Sequence, residues 1–183
     1  MRFSSVRISF PLLLAPLLAL LCSGLAKKPE FIVRFFVEAN AQDTERFATP
    51  VKLNYPPREA YIERVPTISE RNVKAVFPFP AQDGSWGCSF KLDPSGRFAL
   101  EVASTEHRGQ AMVAFVGTKK GTHQVIDMQI DQRISDGVIT IQHGLTTMEV
   151  EALQHSFPDL RTGKVKPREK APKPEKTNSQ SAS

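Results

Sequence analysis

The sequence predicts an α+β domain in which paired strands are followed by two capped helices. Short runs rich in β-branched and aromatic residues, bounded by proline, glycine and polar residues, recur from Phe31 to Gln142 and read as strands. Two longer segments carry the chemistry of a helix start: Asp93 followed by Pro94, and Thr146 followed three residues later by Glu149. Residues outside this span are of different character at both ends of the chain.

At the N-terminus, Arg2 and Arg7 flank the apolar run "ISFPLLLAPLLALL" (Ile8–Leu21), which is too short for a comfortable membrane span and holds Pro11 and Pro16. A positive start, a short apolar middle and small residues at Gly24 and Ala26 make a secretory signal with cleavage before Lys27. The alternatives are an uncleaved anchor and a lipoprotein acylated at Cys22, although Leu21 stands where a small residue is wanted. Contact with a membrane is expected only in those two cases. The expected location is outside the cytoplasm, in the periplasm or cell envelope. The expected division is residues 1–26 as signal, 27–64 as a strand and loop extension, 65–160 as the α+β domain and 161–183 as a tail. That tail, from Arg161, is Lys-, Pro- and Ser-rich and cannot bury enough apolar surface to offset its ordering entropy. It also carries the charge: Lys27–Leu160 holds 15 basic and 17 acidic residues against a net +5 for the whole chain. A domain with no basic excess of its own argues against a nucleic-acid partner.

Taken in order, "EFIVRFFVEAN" reads as a strand, and the proline-punctuated stretch from Ala41 to Pro66 as extended chain with loops. Thr67 and Glu70 form a capping box for a short helical turn over "ISERNV". "VKAVFPFP" and "WGCSFKLD" are two strands joined by "AQDGS", and Pro78 with Pro80 makes the first an edge or ending strand. After the Asp93 cap, Phe98, Leu100 and Val102 are expected on one helical side, with Gly109 closing the helix. "QAMVAFVG" and "QVIDMQI" follow as strands. In the second, Ile126, Met128 and Ile130 point one way, while Asp127, Gln129 and Asp131 form a solvated face. "VITIQ" is the last strand, and "TTMEVEALQHSF" a helix laid on the sheet by Leu145, Val150, Leu153 and Phe157.

Little of this reads as chemistry. His107, His123, His143 and His155 match no zinc spacing, and no metal or cofactor is expected. There is no GxSxG, SxxK or phosphate loop. Asp136–Gly137 reads as a turn and His143–Gly144 as the approach to a helix cap. Cys88, the only cysteine after cleavage, reads as a buried core residue.

The colinear order of Pro66, Ser69, Phe90, Leu92, Gly96, Phe98, Ala114, Gly117, Gly137, Ile139, Ile141, Gly144, Leu145, Thr146, Glu149 and Leu153 resembles the head subdomain in the first periplasmic domain of SecD, of the SecDF protein-export machinery. The resemblance spans Val65–Phe157, and its motifs are core and turn residues. It implies a SecDF head-like fold, a mostly antiparallel β-sheet with two main helices packed on one face, and contact with polypeptide. It supplies no catalytic residue. The family's small Ala-Pro element is replaced here by "QVIDMQI", and no second apolar span follows to match the family's six-helix membrane part. The functional expectation is an exported, non-catalytic accessory or binding domain that meets a protein or envelope partner, with Phe77, Phe79 and Trp86 as contact candidates. The competing expectation is a structural envelope protein held to anionic polymer by its basic tail.

Overall fold

In "FIVRFFV" every second residue is apolar and so are most of the others, which asks for a strand buried on both faces. The computed structural model describes residues 31–40, 47–54, 56–118 and 120–166. Within it β1 (Phe31–Val37) is an inner strand. It pairs antiparallel with β7 (Ala111–Thr118) along its whole length, from Phe31 opposite Thr118 to Val37 opposite Met112, and on its other side with the two-residue β4 (Ile68–Ser69). β8 (Gly121–Gln129) completes this sheet in the order β4-β1-β7-β8. A second sheet, β5 (Val73–Pro80), β6 (Trp86–Leu92) and β9 (Val138–Leu145), has the order β5-β6-β9, again antiparallel.

The two helices are α1 (Pro94–Glu106) and α2 (Thr147–Ser156). Both begin as the sequence predicts: Asp93 Oδ1 accepts from Gly96 N at 2.7 Å, and the Thr146 and Glu149 side chains each accept from the other's backbone N–H. α1 lies against β4 and β6 through Leu100 and Ala103; α2 lies against β1, β5 and β7 through Val150 and Leu153. These side chains meet Phe31, Val33 and Phe35 from the first sheet and Val76, Cys88 and Phe90 from the second in one core. Phe35 and Phe90 join the sheets edge to face, with ring centroids 5.9 Å apart. The fold is therefore α+β, mostly antiparallel, with the helices on one face of the first sheet.

The opposite face of that sheet is covered by the stretch expected to be extended chain with loops. β2 (Ala48–Asn54) and β3 (Pro57–Glu63) pair as a hairpin. Its Leu53, Ala60 and Ile62 close over Ala111 and Val113, beside the edge-to-face pair Phe36 and Phe115. Pro57 is tolerated because it is the first residue of its strand. This cover corrects the expected solvated face of β8. Asp127 is only 5% exposed, and its carboxylate accepts from the N–H and the side-chain amide of Asn54, each at 2.9 Å.

Three further differences have local causes. The short 3₁₀ turn (Glu70–Asn72) is capped by Ser69 and Asn72, with Asn72 Oδ1 accepting from Ser69 N at 3.1 Å. Thr67 cannot cap it, because Ile68 is held as the strand partner of Phe35. Phe98 is 68% exposed whereas Leu100 is fully buried, since residues two apart on a helix lie on nearly opposite sides. The chain past Arg161 stays attached as far as Lys166: Leu160 N donates to Val76 O at 2.7 Å, and Lys166 N to Gln154 O at 3.1 Å. The expected signal, the Cys22 alternatives and the rest of the tail lie outside the described residues.

Leu153 is completely buried, so Leu153→Ala is expected to lower unfolding free energy by about 2–5 kcal/mol, and Thr146→Ala by about 0.5–2 kcal/mol through the lost cap, both read by denaturant unfolding. A second expectation concerns acid. Arg58 grips both carboxylate oxygens of Glu38 at 2.5 and 2.6 Å, and this bond, helped by the Ala111 N–H, holds the Glu38 carboxyl below the usual glutamate range. A depressed folded value stabilises the fold above the unfolded value, and that contribution is lost as pH falls through the folded one. Glu38→Gln should therefore flatten the loss of stability below about pH 4.3 while costing stability at neutral pH; an unchanged acid slope would contradict the assignment.

Candidate functional site

β5 sorts its residues by parity. Val76 and Pro78 point inward and are buried; Phe77 and Phe79 point outward and are half-buried. The two outward rings lie 6.2 Å apart, tilted by 34°. Phe79 lies across β6 where residue 87 is glycine; a Cβ there would collide with the Phe79 ring and the Gln142 carbonyl. Alongside, Ser89 and Thr140 share a hydroxyl hydrogen bond of 2.9 Å, and the Arg161 guanidinium sits 4.6 Å above the Phe77 ring. Trp86 is different. Its register opposite Pro80 and Leu145 gives it the parity of Cys88 and Phe90, and it packs against the core. The structure thus brings Phe77 and Phe79 together and places Trp86 on the other side of the sheet.

The edge of β5 beside this face is closed to an added strand. Its outward-facing Val76 N–H donates to Pro158 O and its carbonyl accepts from Leu160 N. Pro78 and Pro80, the next residues of that parity, have no N–H to offer. A partner approaching here meets side chains on the face.

The histidines are dispersed. His107 Nδ1 is 2.6 Å from Gln110 Oε1, and His155 Nδ1 is 2.9 Å from the Lys166 carbonyl. His143 Nδ1 stands 3.6 Å from Asp83, and His123 Nδ1 3.4 Å from Glu149. Each of the last two belongs to a trio of hydroxyl, carboxylate and imidazole with the carboxylate in the middle. Ser85 Oγ donates to Asp83 at 2.6 Å and accepts from Gly144 N at 2.7 Å; Thr146 Oγ1 donates to Glu149 at 2.8 Å. In a Ser–His arrangement the hydroxyl would face the imidazole; here each hydroxyl donates to the carboxylate and locks a turn or a cap. The Ser85 hydroxyl and N–H, aided by His143, hold the Asp83 carboxyl below its usual range. Cys88 is fully buried as the sequence predicts, and burial pushes its thiol up to about 12, where no thiolate forms at neutral pH. Among the described residues no three His, Cys, Asp or Glu side chains could hold a metal ion.

The sequence reading missed one surface feature. A groove of about 780 Å³ runs between α1, the Val73–Ala75 end of β5 and the Pro158–Gly163 turn. Its signals are distributed: an exposed Phe98, and a β-bulge that makes Lys74 the extra residue between the pairs Val73–Leu92 and Ala75–Lys91.

His143→Ala and His155→Ala are each expected to change stability by less than about 0.5 kcal/mol, measured by denaturant unfolding. Loss of a measurable activity in both variants, with the circular dichroism spectrum intact, would make these histidines functional.

No protein-family model matches the chain, and no curated protein matches it. Among solved structures, a SecDF described as a membrane component that enhances protein export is similar over 67% of this chain and 59% of its own, with 14% identity and a TM-score of 0.44. SecDF in a super-membrane-facing form is similar over 67% of this chain and 18% of its own, with 13% identity and a TM-score of 0.43. The chain thus spans about three fifths of the first structure and under a fifth of the second.

Proposed function

We propose that this chain is an exported, non-catalytic accessory or binding domain, and that it meets a protein partner of the cell envelope through the outward face of β5-β6-β9. The observation that carries this reading is the Phe77–Phe79 pair, held outward on a sheet face that no helix among the described residues covers, beside an edge whose outward N–H groups are already paired or replaced by proline. Aromatic side chains half-buried on a rigid sheet face, with part of each ring left open, can anchor a protein contact. The side-chain trios built around a central carboxylate support a role without catalysis, and the N-terminal apolar run supports export. The resemblance of Val65–Phe157 to the SecD head puts protein export first among the processes to examine.

The full chain carrying Phe77→Ser and Phe79→Ser should melt lower but keep its circular dichroism spectrum and a cooperative transition, since both rings lie outside the buried core. It should lose a stoichiometric protein partner that the parent retains at high salt. Retention that is salt-sensitive, survives both substitutions and vanishes on removing residues 167–183 would instead mark a structural protein held by its basic tail.

A further inference from the structure

The groove beside α1 is lined by three acids and three cations that differ in their partners. Each acid is engaged within the fold: Asp93 caps α1, Glu101 pairs with Arg133, and Asp159 accepts from Arg161 N and Thr162 N. Its three cations are Lys74, Lys91 and Arg97, and none has a carboxylate within ion-pair distance among the described residues. Arg97 is close enough to favour the ionised form of Glu101, but Glu101 already has Arg133 as its partner. Two of the cations are fixed by one turn. Lys91 Nζ donates to the Asp136 carbonyl at 2.8 Å, and the Arg97 stem lies against Gly137, where an added Cβ would stand 3.0 Å from the Arg97 Cβ and Cγ. Cations held in place lose less freedom on meeting an anion. Between them stand two large apolar side chains in water, Phe98 at 68% and Leu160 at 46% exposure.

From this arrangement we propose that the groove binds a polypeptide segment in which carboxylates alternate with large apolar side chains. The apolar side chains rest on Phe98 and Leu160, and the carboxylates meet Lys74, Lys91 and Arg97. Charge complementarity selects an acidic occupant. The groove is short and rimmed by charge, which suits a few residues of amphipathic chain better than an acyl chain, which needs a continuous apolar sleeve. The proposal rests on the reading of the chain as a binding domain and names a second contact for its partner, apart from the Phe77–Phe79 face.

The test uses the full chain and two labelled peptides, one alternating glutamate with leucine and phenylalanine, the other with lysine in place of glutamate, read by fluorescence anisotropy. The acidic peptide should bind about tenfold or more tightly than the basic one, and added salt should weaken it. Lys74→Glu with Arg97→Glu should reverse the preference. Phe98→Ser, at an exposed position, should weaken the acidic peptide without loss of fold. Equal binding of both peptides, a preference kept by the double charge variant, or attachment only to phosphatidylglycerol vesicles would overturn the proposal. A cellular partner lost in Phe79→Ser but kept in the groove variants, with no acidic peptide bound, would overturn it too while leaving the binding-domain reading in place.

Discussion

Burial of both faces of the β1–β7 pair is the constraint on which the other elements depend. A strand that is apolar on both sides must be covered twice. One cover is the second sheet with α1 and α2, through Phe35 on Phe90 and through Leu100, Val150 and Leu153. The other is the β2-β3 hairpin, through Leu53, Ala60 and Ile62. The second cover is thin, and its polar joints are matched one by one: Glu38 with Arg58 and the Ala111 N–H, Asp127 with Asn54, Gln124 with the Lys52 carbonyl. Buried polar groups are tolerated only when paired in this way.

Because the first sheet is covered on both sides, the face it leaves for function is that of its neighbour. The three strands β5, β6 and β9 spend their inward residues on the core and present Phe77, Phe79, Ser89 and Thr140 outward. The same C-terminal segment that closes the β5 edge through Val76 also lays Arg161 on Phe77 and supplies Leu160 to the groove beside α1. The aromatic face and the groove therefore share a border made by residues 158–163. In the proposed function they are two parts of one partner surface.

Much of this fold was legible because its signals are local. Asp93–Pro94 and the Thr146–Glu149 box fix helix starts by hydrogen bonds within three residues. The alternation in "FIVRFFV" and "WGCSFKL" reports burial directly. What escaped depends on partners far along the chain. Asp127 reads as solvated until Asn54, 73 residues earlier, arrives with the hairpin. The hairpin itself is masked by Pro50 and Pro57, which read as breaks although one lies in an edge strand and the other at the first position of its strand. Phe77, Phe79 and Trp86 look like one cluster in sequence, but only the pairing of Pro80 with Trp86 reveals that the tryptophan has the opposite parity. The groove has no sequence signal of its own, since it is assembled from a bulge, a helix face and a C-terminal turn.

The central claim is that the outward face of β5-β6-β9 is the surface this chain presents to a protein. Site-specific photocrosslinking in cells tests it most directly, with the probe placed at Phe79 or, as the comparison, at Thr49 on the exposed side of the hairpin. The account predicts a crosslink to a defined protein from position 79 and none from position 49. Crosslinks to the same protein from position 49 alone, or from both positions equally, would contradict it.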